Sequence, residues 1–260
     1  MIYIYAVFIF ILGLMFGSFF NVLIYRLPRK KSIIAPPSAC PSCSTKIKWY
    51  DNIPVLSYMI LRGKCRYCRE PISPLYPSVE MLTGIVFLAV FIRTGLNASF
   101  IVYSAAFSFL IVLSFIDLFF KEINVWSLFV PAGFIGLLYL LRHIADIQFI
   151  DSGYELPLTE ALIGLAAGAV MFALVRFIAT RIMKREAMGE ADIYIAGLMG
   201  LILGYEAFFF ALIFAGITGI VFYYSMKRGD NDPEIPFIPF LSMGCFIAFL
   251  MSNILRGMIV

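Results

Sequence analysis

The stretch TGLNASFIVYSAAFSFLIVLSFID, residues 94–117, carries no charged side chain before its last residue, Asp117. At about 1.5 Å per residue in an α-helix, its uncharged part is long enough to cross a hydrocarbon core of roughly 30 Å. A carboxylate at the end of such a run is costly unless it is paired, solvated or protonated, so an acid there indicates a functional site. The stretch therefore predicts a membrane helix that ends on a functional aspartate.

Stretches of this kind recur along the whole chain. Hydrophobic residues make up 62% of the 260 residues and charged residues only 14%, which is typical of a polytopic membrane protein and argues against a soluble globular one. The first apolar run, Met1–Tyr25, lacks a basic leading segment and a small-residue cleavage site, so we expect a retained helix. The uncharged spans predict an all-α membrane protein with about eight transmembrane helices: Ile2–Ile24, Leu75–Ile92, Thr94–Ile116, Ile123–Leu141, Leu156–Val175, Ile193–Tyr205, Ala207–Met226 and Ile235–Leu255.

Two local signals refine these predicted helices. Only Tyr205 and Glu206 lie at the junction of the sixth and seventh spans, so we expect a tight turn between antiparallel helices there. Pro236 and Pro239 fall inside the last span. We expect them either to kink that helix and open a lateral entry for a substrate, or to be tolerated for ordinary packing reasons.

Lysine and arginine are unevenly distributed along the chain. Ten lie in residues 26–77, and an outward-facing amino terminus places 17 of the 20 on one side of the membrane. Because basic loops favour the cytoplasm, this predicts a helix over 1–25, a cytoplasmic loop domain over 26–77 and a seven-helix membrane domain over 78–260. We expect the basic loop to face anionic lipid headgroups and not nucleic acid.

A second aspartate lies on the same predicted side as Asp117. The short span Ile193–Tyr205 is only about 20 Å long as a helix, so a crossing helix must draw Asp192 into the membrane. Two carboxyls within a few ångströms of each other share a proton and titrate as a unit. One can then activate a water molecule while the other polarises a peptide carbonyl and protonates the leaving amine.

Other interpretations of the two aspartates remain open at this point. Each could be an ordinary helix-end residue, since a carboxylate is favourable at a helix amino terminus. The pair could also form the proton relay of a transporter. A histidine-dependent hydrolase is disfavoured, because the sole histidine, His143, lies on the opposite predicted side of the membrane.

Four of the five cysteines form two Cys-x-x-Cys pairs in the predicted loop domain. Each pair is a tight turn that presents two thiolates, and two such turns make a closed tetrahedral zinc site. Disulfides or redox dithiols are the alternative, which a reducing cytoplasm disfavours. The fifth cysteine, Cys245, lies in the last apolar span and is expected to be a small core residue. The predicted zinc ligands are Cys40, Cys43, Cys65 and Cys68.

Further motifs run through nearly the whole chain: Gly17-Ser18-Phe19-Phe20-Asn21-Val22, Tyr25-Arg26-Leu27-Pro28, Asp51-Asn52-Ile53-Pro54-Val55-Leu56-Ser57-Tyr58, Leu61-Arg62-Gly63-Lys64, Pro71-Ile72-Ser73, Tyr76-Pro77 with Glu80, Ile116-Asp117-Leu118, Gly189-Glu190-Ala191-Asp192 and Ile235-Pro236-Phe237-Ile238-Pro239-Phe240-Leu241. Together with the cysteine pairs, they resemble the bacterial type IV prepilin peptidases, which are bifunctional leader peptidases and N-methyltransferases.

The resemblance implies an intramembrane aspartyl protease of the Gly-x-Gly-Asp type, with Asp117 and Asp192 as the catalytic pair. It implies an inner-membrane enzyme that cuts prepilins and pseudopilins after a glycine on the cytoplasmic side, then methylates the new amino terminus with S-adenosylmethionine. The chain departs from the family pattern at Ala191, where the second glycine is expected, and at residues 123–125, where relatives commonly have Pro followed by Asp or Asn. We expect activity to be retained, because alanine adds only one carbon.

Further site residues remain weaker candidates. Asn21 and Arg26 could bind the substrate or the methyl donor, although Arg26 at a helix end also suits the headgroup region. Acidic residues could guide a basic leader past the basic loop: Glu80, Glu122, Glu186 and Glu190. A proton-coupled transporter and a membrane-anchored zinc-binding assembly factor are the competing functions.

Overall fold

The computed structural model describes residues 2–120, 133–138, 140–141, 156–184, 188–226 and 236–259. Over these residues the chain is helical, with two isolated β-bridges and no strand, so the all-α prediction is confirmed. The helices are α1 (Ile2–Arg26), α2 (Leu56–Ile60), α3 (Leu75–Thr94), α4 (Ala98–Phe120), α5 (Leu158–Met183), α6 (Glu190–Met226) and α7 (Ile238–Ile259).

Five helices in the described residues are long and apolar enough to cross a membrane: α1, α3, α4, α5 and α6. A shorter apolar segment, Ile238–Ser252, forms most of α7. Most of the predicted fourth span, Ile123–Leu141, lies outside the described residues, and residues 133–138 are helical. The multi-pass character predicted from composition is therefore present in the fold.

The chain divides into two compact units, Met1–Ile92 and Arg93–Val260. In the first unit, α1 and α3 pack closely where glycines face the partner helix. A Cβ atom built on Gly17 would lie 2.6 Å from the Cα of Glu80, so only a residue without a side chain fits this crossing. Small residues allow such close approach between membrane helices.

The second unit is built around α6, which packs against both α5 and α7. Gly164 of α5 and Gly200 of α6 face each other so closely that a Cβ atom on either would meet the other's backbone carbonyl. On the other side, a Cβ atom on Gly244 of α7 would meet Ala211 of α6. Both interfaces therefore depend on small side chains.

Helix α6 reverses direction along its length. Its 28-residue segment from Asp192 to Gly219 would measure about 40 Å if straight. Yet Gly219 lies beside the ring of Phe237, and the backbone N–H of the following residue, Ile238, donates to Asp117. The charge of Asp117 in turn acts on Asp192. Both ends of the segment therefore lie near the same end of the unit, as a turn between antiparallel helices requires.

The reversal occurs at Gly204, the one residue inside α6 with non-helical backbone angles. Its φ of 74° and ψ of 171° lie in a region that is essentially restricted to glycine. The tight turn predicted from the uncharged spans was placed at Tyr205 and Glu206, directly after the actual break. The difference arises because charge marks where a span ends but not which residue can adopt the turn conformation.

The prolines of the last span lie at the beginning of α7. The Phe237 carbonyl accepts the N–H of Leu241, so Phe237 is the cap residue and the helix begins at Ile238. Pro236 precedes the helix and Pro239 lies in its first turn, where backbone N–H groups have no helical partner. The expectation of a proline kink within the last helix is therefore wrong, and the prolines define where the helix begins.

Candidate active site and metal centre

Asp117 lies in the last turn of α4 and is partly exposed. Its Oδ2 atom accepts a hydrogen bond of 3.2 Å from the backbone N–H of Ile238, at the beginning of α7. A helix amino terminus carries unpaired N–H groups and a partial positive charge. The amino terminus of α7 therefore stabilises negative charge on Asp117.

Asp192 lies in the first turn of α6 and is only 7% exposed. The backbone N–H of Gly189, three residues earlier, donates to its carboxyl group. A Cβ atom on Gly189 would lie 3.6 Å from Oδ2, an ordinary contact distance. Ala191, which stands where the family pattern has glycine, is also buried.

The two aspartates are brought together from positions 75 residues apart in the sequence. The charge of Asp117 acts directly on the Asp192 carboxyl, and each side chain accepts a backbone N–H at the beginning of a helix. Two carboxyls whose charges interact titrate as a coupled pair. The pair is thus a candidate acid–base centre within the second unit.

The described acidic candidates other than the pair are held by structural contacts. Glu190 is exposed and forms an ion pair of 3.0 Å with Arg176 of α5. Glu80 is buried, and its Oε2 atom accepts the backbone N–H of Val55 at 2.7 Å. Val55 precedes α2 and has a φ of 59°, which is unusual for a β-branched residue. Glu80 therefore holds the loop against α3. Glu122 and Glu186 lie outside the described residues.

Asn21 and Arg26 also make structural hydrogen bonds. The Asn21 side chain is buried and donates to the Tyr76 carbonyl at 3.0 Å, which links α1 to the beginning of α3. Arg26 donates to the carbonyls of Ser32 and Pro36 at 2.8 and 2.6 Å. Both side chains thus organise the two ends of the loop.

The two Cys-x-x-Cys turns have the same backbone design. In each, the first cysteine donates its N–H to the carbonyl five residues later and accepts an N–H from the residue four later. The residue at that fourth position has a φ near +60° in both turns, and a β-bridge closes each base. The equivalent bonds are Cys40 N–H to Thr45 O, Ser44 N–H to Cys40 O, Cys65 N–H to Glu70 O and Arg69 N–H to Cys65 O.

The two turns bring all four thiols together, with their sulfur atoms within 4.8 Å of one another. Thiolates about 2.3 Å from a tetrahedral zinc ion lie about 3.8 Å apart, and the Sγ atoms of Cys40 and Cys68 are 3.8 Å apart. Hydrogen bonds from Thr45 lower the pKa of Cys43 to about 6. Backbone N–H groups of Cys68 and Tyr67 lower the pKa of Cys65. The pKa of Cys68, despite the N–H of Glu70, is raised to about 12 by desolvation and the neighbouring thiols. The site therefore fits a divalent metal that prefers thiolate ligands.

The second cysteine turn is tied to the rest of the loop by Arg66. Its guanidinium group donates to both carboxylate oxygens of Asp51, which lies in the short helical turn Trp49–Asp51. Two-point contacts of this kind fix orientation as well as distance. Elsewhere in the loop, Ser57 of α2 accepts the N–H of Ile53 and donates to the Tyr50 carbonyl. It thereby links α2 to the short helical turn that contains Asp51.

Sequence reasoning missed the backbone groups that surround the aspartates. The N–H of Ile238 and the N–H of Gly189 act through the main chain, so their residue types carry no chemical signature. The prolines beside Ile238 were the available signal, because proline is favoured near the beginning of a helix. A helix predicted to begin there would also have predicted backbone N–H groups without helical partners, which could donate to a carboxylate such as Asp117.

The fold and these sites define a multi-pass helical membrane protein with a carboxylate pair and a four-thiol loop. Residues 11–94 match the bacterial peptidase A24 N-terminal domain, and residues 104–224 match the type IV leader peptidase family. The chain belongs to the type IV leader peptidase family and is an enzyme. No solved structure matches it.

Several relatives bear the name prepilin leader peptidase/N-methyltransferase. The protein of Myxococcus xanthus is 37% identical over 221 residues, covering 84% of this chain and 62% of the relative. Those of Klebsiella pneumoniae and Bacillus subtilis are 33% and 30% identical, covering 79% and 94% of this chain and 88% and 94% of their own lengths. The chain thus spans less than two thirds of the Myxococcus protein. Membership of a protease family disfavours the transporter and assembly-factor interpretations.

Proposed function

We propose that this enzyme is an intramembrane aspartyl endopeptidase that removes the leader of type IV prepilins and pseudopilins. The observation that carries the proposal is the pairing of Asp117 and Asp192 at adjacent helix ends, each with a backbone N–H donor. The names of the relatives support the substrate class. The pairing supports hydrolysis, because a carboxylate pair supplies both a base and an acid.

In this proposal Asp117 acts as the base and Asp192 as the acid. The N–H of Ile238 stabilises the negative charge that Asp117 needs to take a proton from water as its oxygen attacks the scissile carbonyl. Asp192, which is almost fully enclosed, holds the proton that polarises the carbonyl oxygen. When the carbon–nitrogen bond breaks, that proton goes to the leaving amine. The proton that Asp117 took from water then passes to Asp192, which restores the original proton arrangement.

We propose a topology of eight crossings with the amino terminus outside and the aspartates on the cytoplasmic side of the inner membrane. The reversal at Gly204 supports two crossings within α6, and the basic residues of the loop support the orientation. Cleavage would then occur where a substrate helix meets the cytoplasm. Anionic lipids are the expected partners of the basic loop.

We propose that the four thiols hold one structural zinc ion. The distances between the sulfur atoms and the matching turns support this assignment. Four protein ligands leave no open position, so the ion would order the loop and take no part in hydrolysis.

We propose that the enzyme also methylates the new amino terminus, with S-adenosylmethionine as methyl donor. The names of the relatives support this activity. Asn21 and Arg26 remain the candidate donor-site residues, and each also makes structural hydrogen bonds to backbone carbonyls. Mass spectrometry of the mature substrate should find one added CH₂ group when the donor is present and none when it is omitted.

The peptidase proposal is tested by incubating the purified enzyme with a prepilin and analysing the products by mass spectrometry. Asp117→Asn and Asp192→Asn should each reduce cleavage by roughly 10²–10⁴-fold, the usual contribution of general acid–base catalysis. Asp51→Asn, in the loop, is the matched control and should retain cleavage. Undiminished cleavage by either variant of the pair would reject the assigned centre.

A further inference from the structure

We propose that the beginning of α7 positions the catalytic Asp117, through the backbone N–H of Ile238 and the hydroxyl group of Ser242. This inference rests on the proposed function, in which Asp117 is the base. It adds two positioning groups from a third helix to a centre otherwise made by α4 and α6. Neither group would touch the reacting atoms; both would act through Asp117.

The first step is the hydrogen bond itself. The Ile238 N–H is the first donor of α7, because Phe237 caps the helix, and it reaches Asp117 Oδ2 at 3.2 Å. The Ile238 side chain is only 2% exposed, so packing fixes this residue in place. A donor held in this way fixes the carboxylate orientation as well as its charge.

The second step is a hydroxyl contact one helical turn further into the unit. Ser114, one turn before Asp117 on α4, lies 2.8 Å from Ser242, one turn after Ile238 on α7. Ser114 is buried and also lies 2.7 Å from the Leu110 carbonyl. The Ser114–Ser242 contact and the Asp117–Ile238 contact join the same two helices one turn apart. The hydroxyl pair therefore sets the register that brings the Ile238 N–H to Asp117.

The third step is that the same register continues along both helices. Beyond the serines, Phe107 of α4 contacts the rings of Phe246 and Phe249 of α7 with centroids 5.2 Å apart. Tyr103, one turn further, contacts Phe249 at 4.8 Å. Because aromatic packing resists sliding, α4 and α7 form a rigid antiparallel seam that ends at Asp117.

The decisive variant is Ile238→Pro, which removes one hydrogen-bond donor. The first helical position is the one where proline is most favoured, and the capping residue before it is already non-helical, so the helix should be retained. Ile238→Ala is the matched control, since it removes at least as much of the side chain as proline does but keeps the N–H. The ratio of the two variants therefore reports the hydrogen bond.

We expect kcat for prepilin cleavage to be about ten- to a hundredfold lower in Ile238→Pro than in Ile238→Ala, the usual effect of losing a hydrogen bond to a charged group. KM should be similar in the two variants. The acidic limb of the kcat profile should move to higher pH in the proline variant alone, because the base has lost a donor that stabilises its charge. A loss of correctly folded enzyme would lower kcat without moving this limb.

Ser242 gives an independent test in which the backbone is unchanged. Ser242→Ala should lower kcat about three- to tenfold, as expected for one neutral hydrogen bond, and Ser242→Thr should restore most of it because the hydroxyl is kept. If Ile238→Pro and Ile238→Ala share the same kcat and pH profile while Asp117→Asn is inactive, the positioning role is wrong and the peptidase proposal stands. An active Asp117→Asn would instead overturn the proposed function.

Discussion

The four-thiol loop and the carboxylate pair differ in how far apart in the sequence their parts lie. In the loop, the two ligands of each pair lie three residues apart, and the bonds that shape each turn join residues four or five apart. At the carboxylate pair, the acids are 75 residues apart and the Ile238 donor is 121 residues from Asp117. The loop therefore depends on local turns and, in our proposal, on a metal, whereas the pair depends on the packing of whole helices.

The largest expected effect is on the four-thiol loop, which is held by local turns. Replacing Cys40 and Cys43 with serine should reduce bound zinc from about one ion per chain to near zero, because thiolates supply most of the binding free energy of about 10–16 kcal/mol. Elemental analysis of the purified protein measures this. Hydrogen exchange should increase in residues 39–71, which lose their metal-dependent order.

The control for that experiment is Cys245→Ser in α7, which removes a buried thiol outside the cluster. It should leave the zinc content unchanged. A stoichiometry that stays near one in the Cys40 and Cys43 variant would contradict the metal assignment. So would equal losses in the two variants.

The next largest effect tests the helix packing of the second unit, on which the carboxylate pair depends. Gly200→Ala in α6 should destabilise the protein by about 3 kcal/mol or more, because the new Cβ atom would meet the backbone of Gly164 and no flexible side chain can yield. Thermal unfolding in detergent should show this as a lower Tm. Gly216→Ala in the same helix is the matched control: its Cβ atom meets nothing within 4 Å, and helix propensity favours alanine. Equal Tm values for the two variants would contradict the close crossing.

A smaller effect should come from the helix reversal. Gly204→Ala places a side chain in a backbone region reserved for glycine and should cost about 1–3 kcal/mol. Gly197→Ala lies about two helical turns earlier in α6, where the new Cβ atom makes only ordinary contacts from 3.5 Å. It should lower the free energy of unfolding much less. A smaller loss of Tm at Gly204 than at Gly197 would argue against a break there.

The sequence predicted best what depends on length and on short motifs. Uncharged runs of membrane-spanning length correspond to α1, α3, α4 and α5, and the cysteine spacing predicted a cluster whose sulfur atoms do meet. The convergence of Asp117 and Asp192 could also be predicted, because counting crossings places both at the same face. In each case one-dimensional information is sufficient.

The rest required three-dimensional packing. The Glu80 carboxylate is a candidate for substrate guidance, and the sequence did not indicate that the loop folds back and presents the Val55 N–H to it. Asn21 is a candidate ligand-binding residue, and the sequence did not indicate its hydrogen bond to a carbonyl of α3. A polar side chain in an apolar span signals only that some partner exists. Whether that partner is a substrate or the chain itself depends on which backbone groups the fold leaves unpaired.

The smallest effect sharpens the comparison, because it changes the local region without touching a ligand. Ser44 has a φ of 57°, a conformation that favours glycine by about 1 kcal/mol, so Ser44→Gly should stabilise the first cysteine turn. Ser42, two residues earlier in the same turn, has no positive φ, so Ser42→Gly should destabilise it by a similar amount through the entropy of the unfolded chain. Competition with a chelator measures both, and zinc retention should rise up to about fivefold in the first variant and fall in the second. Shifts in the same direction would show that this backbone conformation does not limit metal binding, and that the loop too depends on contacts beyond its own turns.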